Sequence, residues 1–262
     1  MRAMAKSGKD KDAVTMTLKK YPGRVKEVLE YVNELPVKVY GAKLEYRSTK
    51  ALASTSKRKY ALYDRIATMD LCKDSALSSN TQKRHYAQLT KGLLYIGVGA
   101  LDEAHNIVTP LSWPSRASWA DSAPISIKDA TLKGTACYAH ALVHRGEGQY
   151  VGEFGTGWNN SQYWFANVPN KHPVYGTVSD AARSIVTQRN SSTSTDFGSH
   201  RRIVKFVGTM GGSKRMWNAG SFVDLCEIAV DNKDALLVNY CEQVINQEWK
   251  ALLDFCLRFV DN

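Results

Sequence analysis

Apolar residues recur at helical spacing over most of this 262-residue chain, and strand-like alternation is scarce. Val25, Val28, Leu29, Val32 and Leu35 lie three or four positions apart. They follow Pro22, whose missing N–H costs nothing in a first helical turn, and precede Pro36, which closes the segment. The spacing returns at Leu62, Ile66 and Met69 and again over 81–94. Residues 93–108 are apolar for most of their length, which predicts a buried helix ending before Pro110. Further helices are predicted over 136–147, stopped by the glycines at 146 and 148, over 178–187, over 222–230 and over 234–259. In the last, Leu237, Cys241, Val244, Ile245, Leu252, Cys256 and Phe259 form one stripe. Residues 203–207 read as a short strand, although no partner strand is evident.

The connecting segments are of several kinds. Residues 48–59 are rich in Ser, Thr and Lys and suit a loop or an exposed helical start; residues 109–133 carry three prolines and two tryptophans and read as a long ordered connection. Residues 148–157 are turn-rich, 190–199 form a Ser/Thr loop and 208–215 a glycine-rich basic loop. The expected fold is therefore mainly α: a compact multi-helix domain with long ordered loops and at most a minor β element. A basic, flexible N-terminal extension is expected over 1–20 and a single helical domain over 21–262, with a candidate sub-boundary near residue 90.

Composition changes this picture little: 44% hydrophobic and 23% charged residues are ordinary for a globular protein. The longest apolar run, Leu93–Leu101, falls far short of the roughly 18–20 residues of a membrane span, so no membrane partner is expected. Residues 1–14 lack the apolar stretch of a secretory signal, and Asp10 and Asp12 oppose an organellar presequence. The cysteines, 72, 137, 226, 241 and 256, are odd in number and include no Cys-x-x-Cys, which fits reduced, buried thiols. An intracellular, cytoplasmic protein is the expectation.

Charge changes it more. The net charge of +10 is concentrated: +11 over residues 1–91, −2 over 92–182, +6 over 183–215 and −5 over 216–262. Lys57-Arg58-Lys59-Tyr60, Lys83-Arg84-His85-Tyr86 and Arg201-Arg202 with Lys205 combine cations with aromatics, as phosphate-tracking surfaces do. A nucleic acid or another polyanion is thus a candidate partner, though no base-reading module is recognisable. A solvated basic surface without a partner accounts for the same residues.

Candidate chemistry concentrates between Asp102 and His172. In His140-Ala-Leu-Val-His144-Arg145-Gly-Glu147, positions i, i+4 and i+7 share a helix face, bringing His140, His144 and Glu147 together. Two imidazoles one turn apart suit a divalent metal, with a carboxylate as third ligand or general base. Asp102 and His105 likewise share a face, and if the two faces meet they supply enough N and O ligands for Zn, Mn or Fe. Asn160, Tyr163, Trp164 and His172 can line a polar–aromatic pocket for substrate. Each element also has a plain reading: hydrogen-bonded core histidines, a helix end capped by an acid, a tryptophan in the core.

In this order, Asp102-Glu103-Ala-His105, His140-x3-His144-Arg145-x-Glu147-Gly148, Asn160-x-x-Tyr163-Trp164 and His172-Pro173 resemble a family of uncharacterised bacterial and fungal proteins. This chain differs in carrying extra residues between Glu147 and Asn160. The resemblance implies importance of these positions and no particular activity. Two functions follow. One is a metal-assisted hydrolase of an anionic substrate, phosphate-containing or nucleic acid, with His105, His140 and His144 as ligands. In it Glu147 or Asp102 is ligand or general base, and Arg145 neutralises the substrate. The other is a non-catalytic nucleic-acid-binding or packaging protein whose histidine segment is structural.

Overall fold

The computed structural model describes residues 21, 23–34, 57–71, 80–113, 124–152, 154–187, 196–210 and 216–261. Among them are ten α-helices: α1 (Gly23–Glu34), α2 (Lys57–Thr68), α3 (Thr81–Gly97), α4 (Leu101–Ser112), α5 (Ala130–Glu147), α6 (Gly157–Ala166), α7 (Val174–Thr187), α8 (Arg201–Thr209), α9 (Ala219–Asp231) and α10 (Ala235–Asp261). The β structure is one antiparallel hairpin of two-residue strands, β1 (Val151–Gly152) and β2 (Gly155–Thr156), between α5 and α6. The protein is mainly α, as its hydrophobic periodicity requires.

At the centre lies α5, whose residues 134–145 are buried without a break, so this stretch of the helix has no solvent face. It packs on α4 and α6, while the 27-residue α10 packs on α3 and α7, and α9 bridges α6 and α10. Single polar bonds fix these layers. The Trp249 indole N–H donates to the Leu93 carbonyl at 2.7 Å, joining α10 to α3. The Tyr240 hydroxyl donates to the Ala182 carbonyl at 3.2 Å, joining α10 to α7, and Ser161 Oγ donates to the Ala141 carbonyl at 2.8 Å, joining α6 to α5. Several of the helix N-termini are capped from side chains: Asn80 accepts from Gln82 N–H, Asp129 from Leu132 N–H, Thr156 from Asn159 N–H and Asn218 from Ser221 N–H.

Three expectations are corrected. Residues 93–108 are not one helix: α3 ends at Gly97 and α4 begins at Leu101. Gly99 turns the chain with φ +72, and Ala100 N–H donates to the Tyr95 carbonyl while Gly99 N–H donates to that of Ile96. This paired C-terminal cap needs a glycine in the left-handed region. Pro110 does not end α4 but sits in its last turn, where the helix has little further to run and proline's lost hydrogen bond does least harm. Residues 203–207 form no strand but the body of α8, with Ile203, Phe206 and Met210 buried at helical spacing.

Expectations for residues 1–20, 48–56, 72, 114–123, 153, 190–195 and 211–215 lie outside the described residues. Residue 90 falls inside the unbroken α3. Among the described residues no helix is long and apolar enough to cross a membrane. Cys137, Cys226, Cys241 and Cys256 are free and buried.

Candidate metal centre

The site is built where α4, α5 and α6 meet. His105 comes from α4, His140 and His144 from α5, and Asn160 and Trp164 from α6. The ring of His105 stands edge-on to His140 at 4.8 Å between centroids and to His144 at 5.3 Å; His140 and His144 stack at 4.8 Å. One ligating nitrogen from each lies within 4.8 Å of the others, and this is the group of described residues that can hold a metal ion. Three nitrogens bonded to one tetrahedral ion at about 2.0–2.1 Å lie roughly 3.4 Å apart, so the three rings must draw closer together to share one ion.

His140 is 1% exposed. Its Nδ1 lies 2.7 Å from Ser112 Oγ. The Ser112 hydroxyl has one proton, which it donates to the Val108 carbonyl at 2.9 Å. Oγ therefore accepts from Nδ1–H, and the lone pair of His140 falls on Nε2. That nitrogen is buried and has no hydrogen-bond partner. Trp164 stacks flat on the same ring at 3.9 Å and is itself braced edge-on by Trp113 at 5.3 Å, so the imidazole cannot turn.

His144 is fixed in the same sense. Its Nδ1 meets the Glu147 carboxylate, which can only accept, so the proton sits on Nδ1 and Nε2 keeps its lone pair. The Asn160 amide nitrogen lies 3.3 Å from the same Nδ1 but, being itself a donor, makes no hydrogen bond with it in this tautomer. A carboxylate behind a histidine is the arrangement that orients metal-binding imidazoles and raises their basicity. Burial pushes His105 down to about 3, assisted by the neighbouring charge of His144, and holds His140 well below its ordinary range, assisted by His144 and His105. Both rings are accordingly neutral at physiological pH, the form that ligates a metal.

Local backbone chemistry places these groups. Gly148 ends α5 with φ +62 and ψ −119, a conformation closed to residues with a side chain. The hairpin then returns the chain so that Gly157 N–H donates to the Tyr150 carbonyl and Trp158 N–H to that of Gly148. A Cβ on Gly157 would stand 2.5 Å from the His144 carbonyl oxygen and 2.7 Å from Gly148 N. Only glycine lets the start of α6 come this close to the end of α5, and that approach sets Asn160 against His144.

Other candidate residues are placed elsewhere. Arg145 turns away from the histidines into the core, 2% exposed, where it pairs with Glu248, which is 0% exposed. Tyr138 donates to the other carboxylate oxygen at 2.7 Å, and the guanidinium lies over the Phe222 ring at 5.2 Å. His172 is also apart: Val174 N–H donates to its Nδ1 at 3.4 Å, and its Nε2–H donates to Thr135 Oγ1 at 3.1 Å. Both nitrogens are satisfied, and burial lowers this ring to about 4. Trp164 is a buried wall of the site, Tyr163 is exposed beside it, and Asp102 is half-buried one helical turn before His105. Arg201 and Arg202 are exposed in the first turn of α8, and Lys57, Arg58 and Lys59 form the first turn of α2, remote in sequence from the histidines.

Ser112, Glu248 and Thr135 escaped the sequence reading. A serine or threonine one residue type among many gives no signal, and Glu248 sits on a helix face whose burial only the packing of α10 on α5 creates. Comparison of the chain with protein-family models, with curated proteins and with solved structures finds no match.

Proposed function

We propose that this protein binds one divalent transition-metal ion through His105, His140 and His144 and uses it to activate water for hydrolysis. The observation that carries this reading is the bare, buried Nε2 of His140. Leaving such a group unpaired costs about 1–3 kcal/mol. The same fold satisfies His172 on both nitrogens. His140 is locked by Ser112 and Trp164 with its lone pair aimed into a cluster of imidazoles, which is what a ligand requires and a core histidine does not.

Three histidines with a free fourth position form a known type of catalytic zinc site, in which the ion brings the pKa of bound water to about 7. Zinc suits the all-nitrogen donor set, and Mn or Fe can use the same ligands. Glu147 orients His144, and Asp102 lies one helical turn before His105 on α4. Arg145 supplies no charge to a substrate in this reading, because Glu248 already neutralises it. A second reading, polyanion binding, draws on the exposed Arg201, Arg202 and Lys205 of α8 and predicts nucleic acid retained at low salt and released as salt rises.

Metal analysis of the purified protein, with thermal unfolding in added zinc or chelator, tests the first reading. Zinc at about a hundred times its dissociation constant adds about 2.7 kcal/mol, several degrees in Tm. His140→Ala/His144→Ala loses both the metal and the shift. A folded wild-type protein whose midpoint ignores chelator, zinc and manganese overturns the proposal.

A further inference from the structure

The two helices that carry the histidines, α4 and α5, meet in antiparallel register. At one end Leu101 opens α4 against Gly146, near the end of α5, where an added Cβ would stand 3.0 Å from Leu101 Cδ1. At the other end α4 closes at Ser112 beside the start of α5. There Lys133 Nζ donates to the carbonyls of Leu111 and Trp113, each at 3.1 Å. Lys133 lies seven residues before His140 and eleven before His144, so all three project from one face of α5.

The last carbonyls of a helix have no partner within it, and a basic side chain near its C-terminus can satisfy them. Here the cation comes from a different helix, and the two oxygens it holds stand on either side of Ser112. Ile125 N–H takes the preceding carbonyl, that of Pro110, at 2.7 Å. Ser112 Oγ is the acceptor for His140 Nδ1–H at 2.7 Å. Trp113, extended at φ −70 and ψ 140, braces Trp164 edge-on at 5.3 Å, and Trp164 lies flat on His140 at 3.9 Å. One ammonium thus fixes the peptide units that aim both restraints on the His140 ring. Lys133 is half-buried, and that burial lowers its pKa, so its head has given up water for these oxygens. Hydrogen bonds from a charged donor are roughly twice as strong as neutral ones.

We infer that Lys133 is a positioning residue of the metal centre: it holds the end of α4 in register with α5 and thereby aims Ser112 and Trp113 at His140. The inference rests on the metal reading for its effect on a bound ion, while its effect on the His140 ring stands on the contacts alone. Losing an outer partner of a ligating histidine lowers metal affinity about 10–100-fold. Lys133 stands one step further out and acts on two such restraints, so a loss of about tenfold is expected.

Lys133→Met keeps the length of the side chain and removes its donors. Lys133→Gln, too short to span both carbonyls, changes the protein in the same direction, and Lys133→Arg, with its fork of donors, restores most of the affinity. Zinc competition titrations of these variants, and of Lys133→Met combined with Ser112→Ala, are read beside imidazole-nitrogen NMR of His140 in the metal-free protein. Lys133→Met weakens zinc about tenfold and lets the His140 proton divide between Nδ1 and Nε2. It costs less in the Ser112→Ala background than in the wild type, because both changes act on one contact. A plain helix cap would instead lower the unfolding midpoint, leave the tautomer unchanged and give losses that multiply. That result overturns the inference, as does wild-type zinc affinity with a wild-type tautomer in Lys133→Met. If the wild type takes up no zinc, the metal reading falls and the tautomer decides alone: a shifted proton in Lys133→Met supports the positioning role, and an unshifted one overturns it.

Discussion

Three histidines buried in one protein are put to different uses by the partners of single nitrogen atoms. His172 receives a backbone N–H and donates to Thr135, so it is a neutral strut. His140 donates to Ser112 and is left with an unpaired nitrogen; His144 donates to Glu147 and keeps its other nitrogen for the cluster. Ser112→Ala removes the acceptor that fixes the His140 tautomer while leaving the three imidazoles in place. Losses of such outer partners weaken metal affinity about 10–100-fold. A zinc competition titration reads this directly, and an unchanged affinity would mean that Ser112 does not set the tautomer.

At the scale of elements, the site depends on how closely α6 approaches α5. A Cβ at Gly157 would meet the His144 carbonyl oxygen at 2.5 Å, Glu147 Cβ at 2.6 Å and Gly148 N at 2.7 Å, and two of these are backbone atoms that cannot rotate aside. Gly157→Ala should therefore cost about 2–4 kcal/mol and separate Asn160 from His144. Gly176 is the control: it lies in α7 with nothing within 4 Å of an added Cβ, so Gly176→Ala should stabilise by about 0.5–1 kcal/mol. Urea unfolding of both variants distinguishes them, and equal midpoints would show that α6 is not held at this distance. Helix periodicity made most elements legible, including α5, α9 and α10. It failed at 203–207, where five residues fit a strand as well as a turn and a half of helix. It also merged α3 with α4, because both are apolar there and the capping role of Gly99 is set by its φ.

Across the whole molecule, histidines on separate helices act together on stability. His105 on α4 and His172 before α7 are lowered to about 3 and about 4, chiefly by burial, and His140 on α5 lies well below its ordinary range. In the unfolded chain each takes up a proton near pH 6.5, whereas the native rings refuse it. The unfolded state thus binds more protons below pH 6.5, and stability falls as pH drops from there toward 4. At about 1.4 kcal/mol per pKa unit, His172 alone accounts for a loss on the order of 3 kcal/mol. Urea midpoints of the metal-free protein from neutral pH down to about 4.5 should fall, and less steeply for His172→Asn, which cannot titrate. A flat wild-type profile would rule out neutral buried histidines.

The sequence by itself determined that the chain is helical, since apolar spacing of three and four is written along it. It also determined that His140, His144 and Glu147 share a face, because helix geometry fixes neighbours within one element. Only the tertiary structure decided that α4 brings His105 to them, that α10 carries Glu248 to Arg145, and which nitrogen of each imidazole is left bare. Those are contacts between residues far apart in the chain, and no local pattern encodes them: they exist once α5 is enclosed and every polar atom on it must find a partner or go without.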